Sequence, residues 1–168
     1  MRTDVGIIYM MCYYNYMNDS VILLSGFMGA GKTTFGRKLA AEKGYDFIDL
    51  DRYIEERESK SIKDIFALGG EAYFRKLETD AFKEIILRKT ENVVIALGGG
   101  FPMKEENQKL MKNYKTIFLN TSLKTIIERL TKSEIDKRPM LNGDIEKLKN
   151  LYQKRLPVYL ETADIISS

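Results

Sequence analysis

From Val21 onward the chain alternates short apolar runs with amphipathic stretches. VILLS at Val21–Ser25 reads as a buried strand. Lys32 to Lys43 places Phe35, Leu39 and Ala40 on one helical face and stops at Gly44. FID at Phe47–Asp49 is a second strand. Helical periodicity then predicts helices over Tyr53–Arg57, Ser61–Leu68 and Glu71–Lys89, the last with Phe74, Leu77, Ala81, Phe82, Ile85 and Ile86 as its buried stripe. VVIAL (Val93–Leu97) and TIFLN (Thr116–Asn120) are two more strands, separated by a polar helix from about Lys104 to Asn113. Helices over Leu123–Leu130 and Asp144–Leu160 follow, and ADII (Ala163–Ile166) completes five strands. Apolar strands alternating with helices predict an α/β fold, a parallel sheet covered on both faces.

Residues 1–16 break this pattern, because no helical or strand period is sustained around Met10 to Asn15. They are expected to be a leader, disordered or not native, with residues 17–168 forming one domain. A length of 168 residues suits a single core. The longest apolar candidate, Gly6 to Met17, falls short of the roughly 18–20 residues a membrane span needs and is rich in Tyr and Asn. It also lacks the basic start and small-residue cleavage site of a secretory signal. A cytoplasmic location is the default.

Composition then removes mechanisms. The chain has no His and one Cys, Cys12, which excludes a His general base, a His-ligated zinc site and an internal disulfide. A net charge of +3 with interleaved signs gives no nucleic-acid footprint. Basic chemistry must therefore be local.

GFMGAGKT, Gly26 to Thr33, matches G-x-x-x-x-G-K-[ST] between a strand and a helix. Its glycines let successive N–H groups turn inward around phosphate oxygens, and the helix that follows adds its positive end. Lys32 reaches the β and γ phosphates of a nucleotide in such a loop, and Thr33 offers a hydroxyl to Mg²⁺.

The metal carboxylate is less plain. VVIAL ends in glycines and TIFLN in Asn120, which leaves Asp49-Leu50-Asp51 at the end of the second strand. In an extended segment both carboxylates face one side, so one can organise the metal while the other meets a substrate hydroxyl. Alternatively Asp51 caps the next helix and Asp49 is solvated. Gly98-Gly99-Gly100 is either a cradle for a polar ligand or a plain turn before Pro102. Arg75, among Tyr73, Phe74 and Leu77, pairs with Glu78 or Glu71, or clamps an anionic substrate. Arg138 stands in the aperiodic stretch SEIDKRPMLNG, either a cation-bearing lid or a solvated loop.

Together these residues resemble the shikimate kinase family over about Val21 to Ile166. The resemblance rests on GFMGAGKT, FIDLDRYIE, SIKDIFALGGEAYFRKLE, VVIALGGG, KRPML and RLPVYLETAD. It implies a three-layer P-loop kinase fold like that of nucleoside monophosphate kinases, with a five-stranded parallel sheet in order 2-3-1-4-5. It implies substrate-binding helices over about residues 51–89, a lid over about 131–143, and a monomer. The implied reaction is ATP-dependent phosphorylation of the 3-hydroxyl of shikimate to shikimate 3-phosphate, on the route to chorismate and the aromatic amino acids.

Carried over by position, Gly29, Ala30, Gly31, Lys32, Thr33 and Thr34 would hold the ATP phosphates. Thr33 would sit on Mg²⁺, with Asp49 supporting the metal waters. Asp51 would bind shikimate hydroxyls and accept the proton; Arg75 and Arg155 would grip the carboxylate; Gly98, Gly99 and Gly100 would line the ring. Arg138 would close with the lid onto the transferring phosphate, making Lys32, Asp51 and Arg138 the catalytic set. The lid has Met140 where the family commonly has Leu, a volume-conserving change. In the family an adenine-contacting loop and a final helix follow the fifth strand, whereas this sequence ends at Ser168, leaving Arg129 or Lys132 as candidates to stack on the base. The readings set against this one are a kinase for another small hydroxy acid such as gluconate, and a nucleotide-binding protein with weakened activity.

Overall fold

The computed structural model describes residues 20–89, 91–130 and 144–168. The expected leader, the expected lid with Arg138 and Lys132, and Thr90 lie outside the described residues. Strand β1 (Val21–Ser25) is buried along its whole length and stands at the centre of a five-stranded sheet in order β2-β3-β1-β4-β5. Its neighbours are β3 (Val93–Ala96) and β4 (Lys115–Leu119); β2 (Asp46–Asp49) and β5 (Ile165–Ser167) form the edges. All four pairings are parallel, with Leu23 opposite Ile95 on one side and Thr116 on the other. Order and direction agree with those implied by the resemblance.

The alternation of side chains along β1 divides the core. Val21 and Leu23 face helix α3 (Ile62–Arg88), packing with Phe74, Leu77, Phe82 and Ile85. Ile22 and Leu24 face α1 (Lys32–Lys43) and its Leu39 and Ala40. A third cluster, around Phe27, Phe118, Ile126, Leu148 and Tyr159, joins the loop after β1 to α5 (Leu123–Arg129) and α6 (Ile145–Thr162). Among the described residues no helix is long and apolar enough to cross a membrane.

Several boundaries differ from the sequence reading. Helix α2 (Leu50–Glu58) begins three residues before the expected Tyr53, directly after β2. The two expected helices over Ser61–Leu68 and Glu71–Lys89 are both present, following one another along α3 and divided at Gly70, whose backbone is not helical (φ 69°, ψ −170°). A 3₁₀ turn, Phe101–Met103, follows the glycine triplet, and α4 (Glu105–Met111) is shorter than expected. Strand β5 starts two residues late because Asp164 is engaged beforehand. Its N–H donates to Thr116 O at 2.9 Å, and its carboxylate accepts from Thr116 N at 2.8 Å.

Candidate active site

The loop from Gly26 to Gly31 turns between β1 and α1 through positive φ at Gly26, Gly29 and Gly31 (150°, 74° and 94°), which favour glycine. Gly31 is the N-cap of α1, so the positive end of that helix opens onto the loop. Lys32 Nζ donates to Gly26 O at 2.8 Å and Phe27 O at 3.0 Å, which holds the ammonium across the loop it is expected to serve. Thr33 Oγ1 donates to Asp49 Oδ2 at 2.8 Å.

Asp49 and Asp51 both line one cleft of about 440 Å³ together with Lys32 and Thr33. The way they reach it corrects the sequence reading. They do not share a face of one extended segment, because Asp49 ends β2 and Asp51 stands in the first turn of α2. The capping residue is Asp49, whose Oδ1 accepts from Arg52 N at 3.3 Å, and not Asp51. Asp49 thus sets one oxygen on the helix end and the other on Thr33.

Thr33 Oγ1 and Asp49 Oδ2 form an all-oxygen pair beside the phosphate loop, the donor chemistry Mg²⁺ prefers. Among the described residues no cluster of three His, Cys, Asp or Glu makes an all-protein metal cage. Two protein oxygens suit an ion that keeps several waters and shares substrate phosphates.

Beyond Asp51 the glycine triplet brings the other candidates together. A Cβ on Gly98 would overlap a Glu78 carboxylate oxygen and stand 2.8 Å from Asp51 Oδ1. A Cβ on Gly100 would fall within the Arg75 guanidinium. At Gly99 it would stand 3.6 Å from an Arg155 guanidinium nitrogen. The triplet is thus a place of close approach by charged side chains of the chain itself.

Arg75 pairs with both expected carboxylates, through a close contact with Glu78 and at 3.1 Å with Glu71. Burial works to lower its pKa, but the pairing with Glu78 and Glu71 outweighs it and the net shift is upward. Glu78 is fully buried. Burial pushes its carboxyl up to about 7 against the pull of Arg75, with the nearby Asp51 charge adding to the rise.

Arg155 is 5% exposed and forms no ion pair with a carboxylate among the described residues. Its guanidinium lies 5.9 Å from the Phe27 ring centroid, and burial lowers its pKa. One turn along α6, Tyr159 donates its hydroxyl to Gly99 O, and burial pushes that phenol up to about 12.

Glu78 and Tyr159 are the members of this cluster that the sequence reading left out as site residues. Each stands one helical turn from an arginine that was named, and that spacing was the available signal.

Arg129 Nη1 donates to Gly29 O at 3.3 Å and Ala30 O at 3.4 Å. It also borders a second cleft, of about 460 Å³, with Thr34, Phe35, Lys38 and Ser167. Of the two cations considered for a base, Arg129 is the one the described residues place against the phosphate loop.

The family model for shikimate kinase matches residues 28–168. A shikimate kinase of Dictyoglomus turgidum is 41% identical over 143 residues, 84% of this chain and 83% of that protein. One of Sulfurihydrogenibium is 44% identical over 139 residues, 82% of this chain and 81% of that protein. Among solved structures, shikimate kinase from Acinetobacter baumannii in complex with shikimate superposes with a TM-score of 0.83 at 33% identity, covering 92% of this chain and 86% of that one.

Proposed function

The chain belongs to the shikimate kinase family, and on that premise we propose that it transfers the γ-phosphoryl group of ATP to the 3-hydroxyl of shikimate. The observation that carries the reading is the convergence of Arg75 and Arg155 on Gly99 and Gly100, beside a phosphate loop. A buried guanidinium without a carboxylate partner is costly unless an anion meets it. The carboxylate of shikimate supplies that anion, and Asp51, against Gly98, faces the ring hydroxyls.

In the transfer, the acceptor oxygen bonds to the γ-phosphorus while the bond from that phosphorus to the bridging oxygen of ADP breaks. The hydroxyl proton passes to the Asp51 carboxylate. The main-chain N–H groups of Gly29 to Thr34 hold the phosphates, and Lys32 leaves Gly26 O and Phe27 O to neutralise them. Thr33 and, through water, Asp49 would hold Mg²⁺, which when bound spreads the charge of the β and γ phosphates. Arg138, outside the described residues, is the cation assigned to the transferring phosphoryl group. Adenine occupies the cleft beside Arg129 and Phe35, with the Arg129 plane against the base. Such chemistry asks for positioning and charge rather than a strong base, so a chain without His can perform it. We propose a monomer in the cytoplasm, as the family resemblance suggests.

ADP release with shikimate, gluconate or no acceptor tests the reading. Turnover with shikimate alone is expected; turnover independent of the acceptor, or none, overturns it.

A further inference from the structure

The charged cluster depends on two elements from different parts of the chain meeting in one register: the α3 turn carrying Arg75 and Glu78, and the turn Gly98 to Phe101. The glycines carry no side chain that could tie the turn to α3. A buried polar chain lies beside them instead. Asn107 on α4 is fully buried and Thr79 on α3 is 2% exposed. Asn107 Nδ2 donates to Phe101 O at 2.9 Å, and Thr79 Oγ1 donates to Asn107 Oδ1 at 2.8 Å.

Thr79 Oγ1 also lies 3.0 Å from Arg75 O. A hydroxyl has one proton, and in a helix that carbonyl already accepts the N–H of Thr79. Asn107 Oδ1 has no such alternative, because its amide is oriented by the bond to Phe101 O. The shorter contact, 2.8 Å against 3.0 Å, and the burial of the Asn107 amide lead us to assign the proton of Thr79 to Asn107. The result is a directed chain from the residue after Glu78 to the residue after Gly100. Phe101 in turn donates its N–H to Gly98 O at 3.0 Å, and Met103 N donates to Gly100 O at 3.1 Å, so the strut ends on the triplet itself.

We propose that Thr79 and Asn107 are positioning residues for the acceptor site, holding the Gly98–Phe101 turn against Arg75 without touching substrate. The proposal rests on the acceptor assignment made above. Removing the Thr79 hydroxyl leaves a buried amide oxygen unpaired and frees the turn from α3. Thr79→Val should raise the KM for shikimate roughly tenfold and leave the KM for ATP unchanged, and Thr79→Ser should restore it. Asn107→Asp, which replaces the donor facing Phe101 O by an acceptor, should reproduce the valine phenotype from the other end.

Amide exchange of Phe101 and Met103 supplies an arm that needs no substrate. It should quicken in Thr79→Val and return to the wild-type rate in Thr79→Ser. Lowered thermal stability with unchanged shikimate KM and unchanged exchange would overturn the proposal and leave the pair as ordinary core. Absence of wild-type turnover with shikimate would overturn the acceptor assignment instead, and the exchange arm would still decide whether the strut holds the turn.

Discussion

Gly98 and Gly100 are glycines because charged side chains occupy the space where their Cβ atoms would stand. Gly100→Ala must displace the Arg75 guanidinium, so the KM for shikimate should rise at least about tenfold while the circular dichroism of the fold is retained. Steady-state kinetics with shikimate varied would check it, and an unchanged KM would mean the acceptor does not use Arg75. Arg155 makes the complementary case. It is buried without a carboxylate partner among the described residues, which fits the part in binding shikimate proposed for it. Arg155→Met should leave urea stability equal or higher by about 1 kcal/mol and weaken shikimate binding roughly a hundredfold. A variant both less stable and fully active would show the arginine to be structural. Sequence could not show why the triplet lacks side chains, because the crowding comes from Arg75 and Glu78, which arrive from another element. The pairing of Arg75 with Glu71 and Glu78 was legible, since positions three and four apart on a helix meet.

The elements were legible wherever an apolar run or a helical stripe was long. Their ends were not, because ends are settled by partners from elsewhere in the chain. Asp49 and Asp51 are equal candidates for the cap of α2 by residue type. Asp49 takes the cap where Thr33, at the start of α1, also fixes its second oxygen. Residue pattern placed both aspartates in the cleft for a reason the structure does not keep: the helix begins at Leu50, and its first turn, not strand pleat, carries Asp51 there. Gly36 shows a further cost of reading elements singly. Within the α1 pattern it is only a weak helix former, yet a Cβ there would stand 2.8 Å from Leu24 Cδ1 and inside the Phe47 ring. Its absence lets α1, and with it Lys32 and Thr33, sit close on β1 and β2. Gly36→Ala should destabilise the fold by roughly 1–3 kcal/mol through overpacking, despite its better helix propensity, as measured by urea unfolding; an equal or raised midpoint would show that the helix can stand off.

At the scale of the whole molecule the proposed acceptor site is a set of buried charges, and folding has to carry them. Glu78 is a member of it whose charge depends on pH in the neutral range. Its carboxyl is raised from the ordinary 4.5 to about 7 by burial, with Arg75 pulling down and Asp51 pushing up. Below about pH 4.5 the group is protonated in folded and unfolded chains alike, and its contribution to stability is fully present. Between 4.5 and 7 the unfolded chain has released a proton that the folded chain retains, so raising the pH favours unfolding. Above about 7 both are ionised and the contribution is lost. Glu106, paired on the surface with Lys83 and Lys104, is shifted the opposite way to about 2, mainly by its hydrogen bonds to those lysines. Its effect is confined to the acid side, lost as pH falls below 4.5, and does not mask the first. Urea unfolding of wild type and Glu78→Gln across pH 4.5 to 8 separates them. The stability of wild type relative to the variant should decline as pH rises from about 4.5 to about 7 and level off above it. A difference that stays flat, or grows with pH, would mean that the pairing with Arg75 keeps Glu78 ionised throughout, so that the fold carries an ion pair rather than a proton at its acceptor site.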